Sequence, residues 1–273
     1  MRHDVFFSFR FWKQPFSPRR APAPRAGFIR TALLTLVCLV LVWPNVPARA
    51  GEKDDPRAGE LLALMEKVEA SYAGIVDYSA VFSRRERVEA SLLPEERLFL
   101  KFQKPQRIYL KGIGEPLKEA LYVSGENGGK AVVHKDGAGA GLTWNLDPNG
   151  SIMNEGCRHP ITDIGFGFII AMMRDNIPLA ESRSELEVIR LGEENFAGRP
   201  AYVAEARFTP KDGRAYYASR IVLHVDRQYL LPVGVTCYDE QGALLEQYGY
   251  EDLKVNIGLT SLDFSRDNPE YAF

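Results

Sequence analysis

Cys157 and His159 are the first pair to weigh for chemistry, because a thiol and an imidazole two residues apart can share one face of a strand. Thiol catalysis also needs a third group to orient the base and an oxyanion hole, and no motif in the chain supplies either. Arg158, His159 and Asp163 make the one cluster in which a polar pocket is worth seeking. The other histidines past residue 50, His134 and His224, stand far apart, and neither paired cysteines nor helically spaced ligands occur. No metal is therefore expected. Gly137 to Gly141 alternates glycine and alanine without GxGxxG spacing, and no GxSxG elbow exists. The expected protein is non-catalytic and needs no cofactor.

A chain without catalytic groups has to act through shape, so the elements matter. From Arg57 to about Gly74 the apolar residues Leu61, Met65, Val68, Tyr72 and Ile75 recur three and four apart, an amphipathic helix with Gly74 as its stop. Strand alternation follows at Tyr78–Ser83, Glu95–Phe102 and Ile108–Leu110, with further strands at 120–124 and 130–134 joined by a glycine-rich hairpin turn. The run Arg84-Arg85-Glu86-Arg87 reads as a solvated strand end. Thr162 to Asn176 breaks the pattern: Phe166, Phe168, Ile169, Ile170, Met172 and Met173 crowd into eight residues, a short helix apolar on nearly every side. Gly165 and Gly167 each lower its helical stability by about 1 kcal/mol relative to alanine. Strands resume at 186–191, 200–208, 219–225, 231–238 and 244–253, with turns at Lys211-Asp212-Gly213 and Glu240-Gln241-Gly242. The fold class is mainly β with helices (α+β). Its architecture is an open antiparallel half-barrel enclosing the N-terminal amphipathic helix and a short apolar lid helix.

The first fifty residues bear on location. Arg19, Arg20, Arg25 and Arg30 precede an apolar run from Thr31 to Trp43, and Ala48-Arg49-Ala50 has the small residues of a cleavage site. This is the pattern of a signal peptide over residues 1–50, with Gly51 as mature N-terminus and 51–273 as one domain. A run of 13 residues falls short of the roughly 20 that span a bilayer, although an uncleaved anchor stays open as the rival reading. Of 34 Lys+Arg and 36 Asp+Glu, eight basic and one acidic residue lie in that leader. The mature part keeps 26 basic and 35 acidic side chains, a net charge of −9. Such a surface excludes nonspecific nucleic-acid binding. Cys157 and Cys237 remain, either as a disulfide or as two buried free thiols.

Several stretches resemble a known family. Tyr78-Ser79-Ala80-Val81-Phe82-Ser83-Arg84-Arg85-Glu86, Leu98 to Pro105, Gly156 to Gly165, Tyr250 to Thr260 and Asn268-Pro269-Glu270-Tyr271 are similar to family 1571 of the domains of unknown function, a bacterial exported family. Arg-His-Pro-Ile-Thr and Asn-Pro-Glu-Tyr are the most specific of these motifs. The family's strand–helix order is similar to the periplasmic lipoprotein-carrier superfamily. That resemblance implies a periplasmic protein with an unclosed barrel whose helices cap a hydrophobic cavity. The expected function is then binding or carriage of a lipid or lipoprotein acyl chain, each buried CH₂ contributing about 0.8 kcal/mol. The candidate cavity residues are Phe82, Leu98, Leu100, Phe102, Ile108 and Leu110 on strands, with Phe166, Ile169, Met172 and Met173 on the lid. Arg158 and His159 are the candidates for anchoring that lid. The alternative is a sensor or interaction module that binds an envelope protein partner in the same concavity.

Overall fold

The computed structural model describes residues 55–114, 118–135 and 142–273. The expected leader and the Gly137–Gly141 alternation lie outside the described residues. Helix α1 (Pro56–Ala73) opens with Asp55 as N-cap, its carboxylate accepting the Arg57 N–H at 3.0 Å, and with Pro56 in the first turn. It buries Leu61, Met65 and Val68 of the predicted stripe together with Ala58, while Tyr72 is half-buried. Then come β1 (Asp77–Val88), β2 (Ser91–Leu92), β3 (Glu96–Gln103), β4 (Arg107–Gly112), β5 (Lys118–Val123), β6 (Ala131–Lys135) and β7 (Leu142–Leu146). After α2 (Phe166–Ser182) the chain forms β8 (Leu186–Phe196), β9 (Arg199–Phe208), β10 (Arg220–Asp226), β11 (Pro232–Tyr238) and β12 (Leu244–Val255).

The strands make one open antiparallel sheet in the order β7-β6-β5-β4-β3-β1-β12-β11-β10-β9-β8, with β2 beside β1. It is two meanders sewn together in the middle, where the first strand pairs with the last. The two edges, β7 and β8, are consecutive in the chain, and the segment joining them carries α2. That segment has to cross a face of the sheet, and it crosses the face that α1 also covers. On this inner face the strand residues and both helices share one core.

Three expectations change. The apolar helix runs past the expected 162–176 segment: α2 covers 17 residues to Ser182 with Pro178 inside it, and it buries Ile177 and Ala180. Tertiary burial outweighs the lost hydrogen bond. The charged run at 84–87 is no solvated strand end, since β1 continues to Val88 and carries Glu86 inward at 4% exposure. Strand β7 forms where no strand was expected.

The outer face has its own small core of Tyr109, Leu121, Val123, Val132 and Phe264. The C-terminal segment straps across it. The Asp77 carboxylate accepts the N–H groups of Ile257, Gly258 and Leu259 at 2.7, 3.2 and 3.1 Å. Lys101 reaches Asp263 at 2.7 Å, and Tyr271 stacks on Tyr109 with ring centroids 3.8 Å apart. The Asn-Pro-Glu-Tyr motif thus ends in a packing anchor.

Candidate functional site

The inward residues of the strands lie in cross-strand register. Phe82 faces Leu98, Leu100 faces Leu110, and Phe102 faces Ile108. All six are at most 7% exposed, and Phe166, Ile169, Met172 and Met173 of α2 at most 5%. The ten cavity candidates therefore converge in one core. Its spine is a run of aromatic contacts, Phe102–Tyr78 at 4.9 Å, Tyr78–Phe166 at 4.6 Å, Phe166–Tyr250 at 4.5 Å and Tyr250–Phe82 at 5.0 Å. Helix α2 packs on α1, β8 and β11, and its first turn lies against Tyr78, Phe102 and Tyr250. The void at its seam with the sheet measures about 20 Å³, beside Phe82, His159, Phe168 and Tyr248, and a second of about 50 Å³ lies under the 153–164 segment, beside Leu98, Leu110, Met153 and Ile161. Pockets that enclose a small molecule run about 300–1,000 Å³, so an acyl chain fits here only where α2 and the 153–164 segment before it move out.

The entry to α2 explains its glycines. Gly165, the N-cap, has φ +120°, and a Cβ there would stand 2.8 Å from the Tyr78 hydroxyl and 3.0 Å from the Phe102 ring. The same hydroxyl accepts the Phe166 N–H at 3.3 Å. At Gly167 a Cβ would meet the Tyr72 hydroxyl at 3.0 Å. These residues buy close approach of the first turn to the sheet, beyond any softening of the helix.

Just before α2, residues 158–163 meet a buried polar cluster. Glu246 on β12, fully buried, takes Arg158 Nε at 3.0 Å and His159 Nε2 at 3.0 Å on one oxygen, and the Tyr217 hydroxyl on the other. His159 Nε2 also lies 2.8 Å from the Tyr217 oxygen, and Nδ1 lies 3.4 Å from Asp163. Glu86 on β1 accepts the Tyr248 hydroxyl and, at 2.9 Å, the Arg158 backbone N–H. The Arg158 and His159 side chains both reach the Glu246 carboxylate, because a buried acid needs a compensating cation. Arg84, the inward arginine of β1, pairs with Glu96 at 2.6 Å and not with the helix.

Burial opposes charge on His159, but its bonds to Asp163 and Glu246 outweigh it and lift the imidazole to about 9. Burial would raise Glu246; His159, Tyr217 and Arg158 hold it below the ordinary carboxylate range. Burial and the neighbouring Glu246 drive Tyr217 and Tyr248 far up, so both stay protonated donors. A pH dependence follows. The His159 contribution is complete below its ordinary value of 6.5 and is lost as pH rises through about 9. The Glu246 contribution has the opposite sign: present above 4.5, lost as pH falls. Urea midpoints should fall between pH 7 and 10, and His159→Gln should flatten that alkaline limb; an unchanged limb contradicts the assignment.

Glu86 sits in the run read as a solvated strand end, and Glu246 lies in a strand where no charge is singled out. The signal was their phase: Glu246 alternates with Tyr248 and Tyr250, and Glu86 with Phe82 and Arg84. Cys237 is buried and Cys157 partly exposed, both as free thiols. Among the described residues, no group of three His, Cys, Asp or Glu side chains is placed to hold a metal, and no helix is long and apolar enough to cross a membrane.

A family model described as a protein of unknown function, DUF1571, matches residues 75–273. No curated protein matches the chain. Among solved structures, MucB is similar at 19% identity and a TM-score of 0.43, over 77% of this chain; the chain spans 63% of MucB's length. A putative outer membrane lipoprotein-sorting domain from Vibrio parahaemolyticus overlaps at 18% identity and a TM-score of 0.31, covering 76% of this chain and 97% of its own. A LolA superfamily protein from Nitrosomonas europaea gives 11% identity and a TM-score of 0.31, with 76% and 97% coverage.

Proposed function

The chain belongs to the DUF1571 family, and we propose for it a non-catalytic role, the exported binding of an acyl chain in the space α2 holds. The observation that supports this reading is the contrast across the α2 seam. The first turn of α2 packs on the apolar rings of Tyr78 and Tyr250 beside Phe102, whereas the segment entering α2 is held by charges. In this proposal Arg158 and His159 fasten the plug to Glu246. An acyl chain replaces the α2 side chains on the strand face, so the apolar surface stays covered throughout. The signal-peptide reading of residues 1–50 puts this activity in the periplasm.

The test is titration of the mature protein with cis-parinaric acid, a fluorescent fatty acid. Saturable uptake at one per chain is expected, with faster amide exchange over residues 166–182. Uptake without any change in α2, or no uptake at all, contradicts the plug.

A further inference from the structure

The open sheet has two edges, and they are built differently. β8 carries Glu187, Arg190, Glu193 and Glu194 and is bulged between Val188 and Arg190. Those are the usual means of keeping other strands away. β7, Leu142-Thr143-Trp144-Asn145-Leu146, carries no charge, no proline and no register shift against β6. Being last in the sheet order, it turns half of its backbone N–H and C=O groups away from β6.

Its side chains extend the inner face into solvent. One cross-strand row runs Leu100, Leu110, Ala120, Val133 and Trp144. Leu100 is 0% exposed and Ala120 7%, whereas Trp144 is 42% and Leu142, on the same face of β7, is 55%. Among the described residues, the apolar floor therefore reaches an edge that no further strand pairs with.

We infer that β7 is a docking edge for an extended segment of a partner protein, which adds as a further strand and lays alternate apolar side chains beside Leu142 and Trp144. A second copy of this chain is the weaker occupant. Five residues span ~17 Å, and strand-on-strand contact of that length falls well short of the roughly 1,200 Å² a specific dimer buries. A flexible peptide faces no such area requirement, since it can bind at micromolar strength through backbone bonds and two anchors. This inference is independent of the acyl-chain reading, because β7 lies at the sheet edge away from the α2 seam.

The probe is a capped, fluorescein-labelled peptide, Thr-Val-Thr-Val-Thr-Val-Lys, added to the mature protein. Expected are a saturable rise in anisotropy and slowed amide exchange confined to residues 142–146. Trp144→Lys and, separately, Leu142→Lys should weaken binding at least tenfold, while Trp144→Phe stays within twofold. Both lysine variants replace exposed side chains, and thermal midpoints near the parent's confirm that they fold. No saturable binding, equal binding by both lysine variants, or protection at residues 186–196 overturns the inference. So does a dimer in sedimentation that Trp144→Lys dissociates, since the edge would then belong to a second copy.

Discussion

Glu246→Ala is expected to cost about 3–5 kcal/mol of folding stability, the range for removing one member of a buried ion pair. The size comes from what stays behind. Arg158 and His159 lose their shared carboxylate, and Tyr217 loses the acceptor of its hydroxyl. An exposed pair sets the scale: Arg97→Ala, which breaks a 2.6 Å contact with Glu251 at 46% and 38% exposure, should cost under about 1 kcal/mol. Urea unfolding of the two variants measures the difference. Amide exchange in Glu246→Ala should also rise first over residues 157–170, where the chain leaves the sheet for α2. A loss below 1 kcal/mol would mean that water already satisfies the cluster, and the fastening would lose its basis.

Gly165→Ala is the second large effect. It forces a Cβ to within 2.8 Å of the Tyr78 hydroxyl and 3.0 Å of Phe102, at a φ of +120° that L residues rarely adopt. Backbone strain of about 1–3 kcal/mol and overpacking of about 1–3 kcal/mol act together. The plug account predicts where this energy goes. The first turn of α2 should lift, exchange over 166–182 should speed up, and cis-parinaric acid should bind more tightly while the sheet stays intact. If α2 were permanent core, the same substitution would lower the global midpoint and leave fatty-acid affinity unchanged or worse.

Much of this was legible in the residues. The 3.6 period of Leu61, Met65 and Val68 and the alternation of Leu98, Leu100 and Phe102 located α1 and the inner face of β3. The crowding of apolar residues from Phe166 to Met173 marked a helix buried on most sides. Three things escaped. Helix α2 ran on past Asn176 because the core takes Ile177 and Ala180, a tertiary gain that no local rule weighs. The buried acids escaped because Glu86 and Glu246 lie 160 residues apart and meet only where the first and last strands pair. β7 escaped because five residues with one aromatic are too few for periodicity to register. Arg158 and His159 drew notice as a pair, but their partners were out of reach of sequence spacing.

Native mass spectrometry with lipid extraction, on the mature protein purified from its host without detergent, tests the central claim most directly. The account predicts a population carrying acyl lipid at one per chain, enriched in Gly165→Ala. A clean apo mass in both proteins, with α2 amides exchanging only on global unfolding, would contradict it and leave α2 as core.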